Sequence, residues 1–166
     1  MKIAVMGYVG SGKTVLSRFL AEHYRIPKVE LDEVAFDLKW MPTNRDVLRC
    51  ELAKFMEQNS WVIDGNYDDL LQDERLEKAD SIIFVMLPRI ACLVRALLRT
   101  KERKAAGYQN DINPWFIRFL LFGCRNRRRR AQYNQIAHRY AEKLVVLKSQ
   151  KEIDRFVYQV REGKWR

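Results

Sequence analysis

The order of apolar and polar residues along the chain predicts strands that alternate with helices. Short apolar runs of strand length lie at 2–6, 28–31, 61–64, 81–87 and 145–148. Apolar residues at helical spacing lie at 14–24, 45–58, 70–78, 89–99 and 150–161. This alternation predicts an α/β fold whose parallel sheet is covered by helices on both faces. Within each strand run, apolar residues do not alternate with polar ones, and such a continuous apolar run is typical of a strand that is buried on both faces of the sheet.

One stretch interrupts this rhythm. Residues 100–113 are polar and end at Pro114, so we predict a mobile lid loop there. Residues 115–143 are predicted to form one long helix that is weakened at Gly123. No repeat and no linker divides the sequence, so residues 1–166 are predicted to form a single domain with a lid at approximately 100–113.

The charge of the chain is concentrated in one region. The 166 residues carry a net charge of +10. Residues 89–130 contain twelve lysines and arginines and two acids, and the charges of the remaining residues sum to zero. A local positive region of this size predicts a partner that is a polyanion or a cluster of phosphates.

Several classes of protein are disfavoured by the sequence. Cys50, Cys92 and Cys124 are far apart and form no CxxC pair, so we expect reduced thiols rather than a zinc site or a disulfide framework. The run at 2–6 is too short for a signal-peptide core, and no apolar run approaches the ~20 residues of a membrane span. We therefore expect a cytoplasmic location.

The segment "GYVGSGKT" at 7–14 matches the phosphate-binding loop G-x-x-x-x-G-K-[ST]. Its glycines let backbone amides converge on phosphate oxygens, and the following helix adds its positive end. Lys13 is predicted to reach the β- and γ-phosphates of ATP, and the Thr14 hydroxyl to help hold Mg²⁺. A glycine-rich turn without function is the alternative, but the strand before and the helix after favour the loop. The predicted nucleotide-binding residues of this segment are Gly7, Gly10, Ser11, Gly12, Lys13, Thr14 and Val15.

Two acids follow predicted strands. Asp64 ends the strand at 61–64 and is predicted to hold Mg²⁺, directly or through water; a turn aspartate before Gly65 is the alternative. Asp32 is predicted to orient or deprotonate the hydroxyl of an acceptor. A helix cap or turn residue is an equally good interpretation of Asp32.

Arginines dominate the region after the fourth predicted strand. Arg95, Arg99 and Arg103 recur every four residues, which places them on one helix face. With a phosphate-binding loop in the same chain, a phosphate clamp is favoured over a solvated basic face. In the run "RNRRRR", Arg125 and Arg128 are candidates to face the nucleotide.

Two aromatic residues have two interpretations each. Tyr8 and Trp40 either line the acceptor site or pack in the core, since aromatic residues are most often core residues.

The chain resembles the adenylate-kinase-like P-loop kinases and, within them, the bacterial topology modulation protein family. The resemblance runs over nearly the whole chain and rests on "GYVGSGKT", "LDEVAF", "WVIDGNY" and "ADSIIFVMLPRIACLVRALLR". It implies a three-layer fold with a five-stranded sheet in the order 2-3-1-4-5. The positions of Pro88, Arg95 and Arg99 match the family's spacing, which implies that Arg95 stacks on the adenine of ATP and that Arg99 contacts phosphates. The "DG" after the third strand supports Asp64 near Mg²⁺.

The chain also departs from adenylate kinases. They carry an arginine after "DG" that holds the acceptor phosphate, whereas Asn66–Asp69 here contains no cation. AMP is therefore not favoured as the acceptor, unless Arg45 or Arg49 substitutes for that arginine. The lid has no cysteines for a structural zinc.

The sequence as a whole predicts Mg²⁺- and ATP-dependent phosphoryl transfer to a small acceptor, such as a nucleotide or nucleoside. The predicted catalytic residues are Lys13, Arg99 and Asp32, and the predicted metal ligands are Thr14 and Asp64. The alternative is a nucleotide-binding regulatory protein that contacts DNA, although no DNA-reading motif is visible. A membrane-surface role for 115–130 is disfavoured because its bulky apolar residues suit a core. The sequence leaves the acceptor and the oligomeric state open.

Overall fold

The protein is described here by a computed structural model that covers residues 1–35, 44–105 and 113–165, with the backbone alone for 102–104. The chain forms two compact units. The first consists of Met1–Gly7, Lys13–Phe84 and Glu142–Val145. The second consists of Tyr8–Gly12, Val85–Ala141 and Val146–Arg166.

The strands form one five-stranded parallel sheet flanked by helices. They are β1 (Lys2–Gly7), β2 (Lys28–Glu30), β3 (Trp61–Asp64), β4 (Ser81–Val85) and β5 (Leu144–Leu147). Their order is β2-β3-β1-β4-β5, which confirms the predicted α/β fold and its strand order. In β3, Trp61 lies opposite Lys2 of β1 and Val62 lies opposite Lys28 of β2.

The helices of the first unit complete its core. They are α1 (Lys13–Tyr24), α2 (Leu31–Val34), α3 (Arg45–Met56) and α4 (Gln72–Lys78). The short α2 was not predicted from the sequence. The α3 helix begins where Asn44 accepts hydrogen bonds from the backbone N–H groups of Asp46 and Val47, which is the role of an N-cap. Ile3 of β1 and Trp61 of β3 are fully buried.

The helices of the second unit carry most of the positive charge. They are α5 (Arg89–Ala105), α6 (Pro114–Leu121), α7 (Arg127–Arg139) and α8 (Gln150–Arg161), with a 3-10 turn at Gly123–Arg125. Asparagine or serine side chains accept hydrogen bonds at three of their N-termini. These residues are Asn113, Asn126 and Ser149.

Two sequence predictions in this unit were wrong. The residues predicted as the start of the lid loop, 100–105, continue α5, because lysine, glutamate, arginine and alanine favour a helix. The rest of that loop, 106–112, lies outside the described residues. The single helix predicted at 115–143 is two helices, because Asn126 is extended and caps α7 through the N–H of Arg129. An N-cap residue cannot also sit inside a continuous helix.

Arg75 of α4 is a buried cation that holds the segment after β3. Its side chain is 1% exposed. The guanidinium donates to the backbone carbonyls of Leu70 (2.9 Å), Gly65 (3.3 Å) and Tyr67 (2.6 Å). Burial lowers the pKa of Arg75 to about 10, so the group stays charged at neutral pH. Those three hydrogen bonds fix the course of residues 65–70.

We expect Arg75→Met to destabilise the protein strongly. The methionine keeps an apolar stem but leaves three inward carbonyls without their donor, so the free energy of unfolding should fall by about 2–4 kcal/mol. Lys78→Met on the same helix changes an exposed cation and should shift it by less than about 1 kcal/mol. Urea denaturation of both variants measures the difference. Similar losses in the two variants would contradict the structural role of Arg75.

Candidate functional site

The predicted phosphate-binding loop lies between β1 and α1, as its motif requires. At Gly10, in the second unit, φ is +75° and a Cβ atom would come within 2.7 Å of the Cys92 carbonyl oxygen. At Gly12, φ is +91° and a Cβ atom would come within 2.8 Å of an Arg95 guanidinium nitrogen. Gly10 is therefore required both for the backbone conformation and for space, whereas Gly12 is required for its backbone conformation, since the Arg95 guanidinium is the flexible end of a side chain.

The first turn of α1 is joined to the end of β3 within the first unit. The Thr14 hydroxyl donates to Asp64 Oδ2 at 2.8 Å, and the Ser17 hydroxyl lies 3.5 Å from the same oxygen. Asp64 is 3% exposed, and its other oxygen, Oδ1, is buried without a hydrogen-bond partner among the described residues. Burial raises the pKa of Asp64, while Lys13 and the Thr14 hydroxyl act in the opposite direction.

This arrangement fits a magnesium ion that is shared with phosphate groups. Mg²⁺ prefers oxygen ligands and is usually held by one or two carboxylates together with substrate phosphates and water. An unpaired carboxylate oxygen on Asp64 and the hydroxyl of Thr14 are ligands of that kind. Across residues 1–35, 44–105 and 113–165, no group of three or more His, Cys, Asp or Glu side chains could form a protein cage for a metal.

Two residues of this part of the site were missed by sequence reasoning. Ser17 follows Thr14 at helical spacing, which was the available signal for its position beside Asp64. Asn66 forms a reciprocal pair with Gly7, because its Oδ1 accepts from the Gly7 N–H (3.1 Å) and its Nδ2 donates to the Gly7 carbonyl (2.6 Å). Only the place of Asn66 after "DG" could have indicated this role. The pair fixes the end of β1 to the segment after β3.

Asp32 belongs to a polar cluster in the first unit. It lies exposed on α2, where its carboxylate accepts a hydrogen bond from the Tyr67 hydroxyl. The Arg45 guanidinium lies 5.3 Å from the centre of the Tyr67 ring, and its Nε lies 3.3 Å from Asp69 Oδ2. Burial, and then the charge and hydrogen bond of Asp32, raise the pKa of Tyr67. The phenol therefore stays protonated and acts as a donor to Asp32.

The second candidate arginine, Arg49, is also occupied within this cluster. Its Nε donates to the Asp69 carbonyl at 2.7 Å, and its Nη1 lies 3.4 Å from Asp46 Oδ1. Both arginines proposed from the sequence as acceptor-phosphate ligands are thus bound to groups of the protein.

In the second unit, Arg95 supports the phosphate-binding loop directly. Its guanidinium donates to the Ser11 carbonyl and to the side-chain oxygen of Gln150. Arg99 lies one turn further along α5 and is exposed, whereas the side chain of Arg103 lies outside the described ones. Of the three arginines predicted to form a phosphate clamp, Arg95 is therefore bound to the loop and Arg99 is exposed to solvent.

Tyr8 of the loop packs in the second unit. Its side chain is buried, with its ring centre 5.5 Å from that of Tyr133 and 3.8 Å from the Arg125 guanidinium. Arg125 also donates to the Leu87 carbonyl and to Cys92 Sγ. These contacts fit the interpretation that Tyr8 packs in the core. Arg125 contacts the Tyr8 ring and thereby supports the loop.

The remaining sequence candidates are Arg128, Val15 and Trp40. Arg128 is exposed on α7, and Val15 is exposed in the first turn of α1. Trp40 lies outside the described residues. In the described part of the chain, no helix combines the length and apolar character needed to cross a membrane.

Comparison with known proteins finds solved structures that share the fold of this chain. No family model and no curated protein matches the sequence. The chain is similar to the structure of a gluconokinase from Sinorhizobium meliloti 1021, with 19% identity, a TM-score of 0.55, and coverage of 98% of this chain and 90% of that chain.

Two further kinases show the same likeness. A deoxyadenosine kinase from M. mycoides has 16% identity and a TM-score of 0.56, with coverage of 98% of this chain and 100% of that chain. A shikimate kinase from Bacteroides thetaiotaomicron has 16% identity and a TM-score of 0.51, with coverage of 98% and 97%. At these identities the likeness shows that this chain shares the fold of the three kinases, and it shows the fold alone.

We expect Gly10→Ala to be far more damaging than Gly163→Ala. Both glycines have positive φ, +75° and +63°, but a Cβ atom at Gly163 meets nothing within 4 Å. Gly163→Ala should cost only the backbone term of about 1–2 kcal/mol, whereas Gly10→Ala adds a clash with the Cys92 carbonyl. Thermal unfolding and ATP titration of both variants test this. Equal stability and equal nucleotide affinity would show that the close approach at Gly10 is unimportant.

Proposed function

We propose that the protein is a phosphotransferase that uses Mg²⁺ and ATP to phosphorylate a small acceptor. The observation that carries this proposal is the complete phosphate-binding motif in its strand–loop–helix context, followed by Thr14 hydrogen-bonded to an Asp64 with an unpaired oxygen. The kinase fold of the similar structures supports it.

The nucleotide phosphates are assigned to the segment 7–15. Backbone amides of the loop and the Lys13 ammonium bind the β- and γ-phosphates, and Thr14 and Asp64 hold Mg²⁺. When bound, Mg²⁺ neutralises charge on the phosphates. The Asn66 pair with Gly7 keeps the start of the loop in place, so the amides are pre-oriented before the nucleotide binds.

Arg95 and Arg99 are assigned different tasks in the same reaction. The hydrogen bonds of Arg95 to Ser11 and Gln150 use the edge of its planar guanidinium and so leave its faces suited to stacking on the adenine. Arg99 makes no hydrogen bond or ion pair in the described part of the chain, and we assign its charge to the transferring phosphoryl group.

Asp32 is assigned to the acceptor. The acceptor oxygen forms a bond to the γ-phosphorus while the bond from that phosphorus to the β,γ-bridging oxygen breaks, and ADP leaves with the electron pair. The hydroxyl proton passes to the Asp32 carboxylate. The hydrogen bond from Tyr67 orients that carboxylate.

The finer assignment to the topology modulation protein family rests on the sequence motifs alone. A nucleotide-binding regulatory protein that contacts DNA is kept as the second candidate, because the +10 region would attract any polyanion. The hydrogen bond between Thr14 and Asp64 beside the phosphate-binding loop suits nucleotide phosphates with Mg²⁺ and therefore supports the kinase over the DNA-binding protein.

We expect Lys13→Ala to lower phosphoryl transfer by roughly 10²–10³-fold, the usual loss for one pre-oriented charged donor. The exposed Lys54→Ala on α3 is the matched control and should retain activity. ADP release in the presence of a panel of small acceptors measures both variants. Unchanged turnover of Lys13→Ala at saturating ATP would refute the kinase proposal.

The two arginines of α5 should separate in steady-state kinetics. Arg95→Ala should raise KM for ATP about tenfold, because it loses stacking and the support of the Ser11 carbonyl. Arg99→Ala should lower kcat about 10²-fold with little change in KM, because its charge is needed mainly in the transition state. Identical effects of the two variants on both parameters would reduce this face of α5 to a solvated basic surface.

A further inference from the structure

The two arginines of α3 in the polar cluster of Asp32 and Tyr67 are already paired with acidic groups of the protein. Arg45 pairs with the Asp69 carboxylate, and Arg49 pairs with Asp46 and the Asp69 carbonyl. A phosphate on the acceptor would need an uncompensated cation at this place, as charge-assisted pairs are what bind phosphate strongly. A third guanidinium, that of Arg75, also contacts residues 65–70, but it is 1% exposed and its donors bind three backbone carbonyls, so it is not accessible to an acceptor phosphate.

The elements that carry Asp32 are also acidic as a group. Residues 31–35, 44–52 and 65–70 contain six acidic side chains and two arginines, a net charge of −4. Residues 36–43, which lie outside the described ones, add one aspartate and one lysine and leave this sum unchanged. An anionic acceptor would be repelled here, in contrast to the positive region at 89–130.

The same elements line a pocket of about 170 Å³ that is partly open to solvent and mainly apolar. Its lining residues are Val29, Leu31, Val34, Leu48, Leu52, Phe55 and Leu70, together with one acidic residue, Glu51. Leu31 and Val34 flank Asp32 in sequence, and Leu48 lies between Arg45 and Arg49 on α3. A cavity of roughly 150 Å³ lined by apolar side chains is known to hold a benzene ring, so this pocket has room for a compact apolar group.

One hydrogen-bond donor of the cluster, Arg45 Nη1, is suited to an uncharged oxygen of a ligand. Arg45 Nη1 is buried and has no hydrogen-bond partner among the described residues. Asp69 already balances the charge of this guanidinium, so a hydroxyl or carbonyl oxygen would satisfy the donor without bringing in a further charge.

From these four features we infer that the acceptor is an alcohol that carries no phosphate or other anionic group and has a compact apolar portion. The inference rests on the proposed function and specifies its substrate class. The reacting hydroxyl meets Asp32, the apolar portion occupies the pocket beside α2 and α3, and Asp69 excludes phosphorylated acceptors by neutralising Arg45.

Matched alcohols and phosphate esters test the inference. The full chain is saturated with Mg²⁺ and a non-hydrolysable ATP analogue, so that the nucleotide site is filled. It is then titrated calorimetrically with deoxyadenosine and its monophosphate, thymidine and its monophosphate, and benzyl alcohol and benzyl phosphate. At least one alcohol should bind, and should bind at least tenfold more tightly than its ester.

Two results of this titration would overturn the inference. One is an ester that binds as tightly as its alcohol, and the other is a protein that binds neither member of any pair. The affinity for the ATP analogue, measured in the same experiment, shows independently whether the nucleotide half of the proposed function stands.

A charge variant tests the role of Asp69 itself. Asp69→Asn releases Arg45, so the ester-to-alcohol affinity ratio should rise roughly tenfold, as expected for about 1.4 kcal/mol. Asp73→Asn removes the same charge from an exposed position in the first turn of α4 and should change the ratio less than twofold. An unchanged ratio in Asp69→Asn, or an equal change in both variants, would overturn the electrostatic exclusion. Thermal unfolding confirms that both variants are folded.

Discussion

The hydrogen bond from the Thr14 hydroxyl to Asp64 joins the two segments that any phosphate chemistry here needs, the start of α1 and the end of β3. The Asp64 carboxylate is buried, and its two oxygens differ in their hydrogen bonding. One oxygen of a buried carboxylate is satisfied by Thr14, and the other is left without a partner among the described residues. A buried unpaired carboxylate oxygen is costly, and a cation held with phosphates would remove that cost. The unpaired oxygen of Asp64 is therefore both the costly feature of the site and the group that the proposed Mg²⁺ would bind.

Two side chains hold the segment after β3 through hydrogen bonds to backbone groups. Asn66 binds both backbone groups of Gly7, and Arg75 donates to three carbonyls of residues 65–70. Within residues 1–35, 44–105 and 113–165 no carboxylate pairs with the Arg75 guanidinium, and burying a guanidinium in this way is costly, as its lowered pKa indicates. The gain is a fixed segment, because each hydrogen bond of a planar group restricts its partner in direction as well as distance. Tyr67 and Asp69 are thereby held where they contact Asp32 and Arg45.

The sequence predicted the strands and the phosphate-binding loop, because apolar periodicity and the glycine–lysine spacing are local signals. The order of the strands was expected only from the resemblance to adenylate-kinase-like kinases. The loop predicted at 100–105 was wrong because helix propensity extends α5 through these residues. The single helix predicted at 115–143 was wrong because Asn126 caps the N-terminus of α7. Sequence reasoning also missed Ser17, Asn66 and Arg75. Ser17 and Asn66 have partners that are distant in sequence, Asp64 and Gly7. Arg75 binds backbone carbonyls five to ten residues before it, and an arginine in a single sequence does not reveal that it is buried against carbonyls. The assignments of Lys13, Arg95, Arg99 and Asp64 to ATP and Mg²⁺ are still predictions.

The uneven distribution of charge has a consequence for turnover. All of the net charge of +10 arises in residues 89–130, while the elements around Asp32 carry −4. A nucleotide donor requires cations, so the positive region suits ATP. If the acceptor enters as a neutral alcohol, phosphorylation turns it into an anion surrounded by acidic side chains. Repulsion then favours departure of the product and disfavours its return, so one charge pattern serves both the selection of the acceptor and the release of its ester.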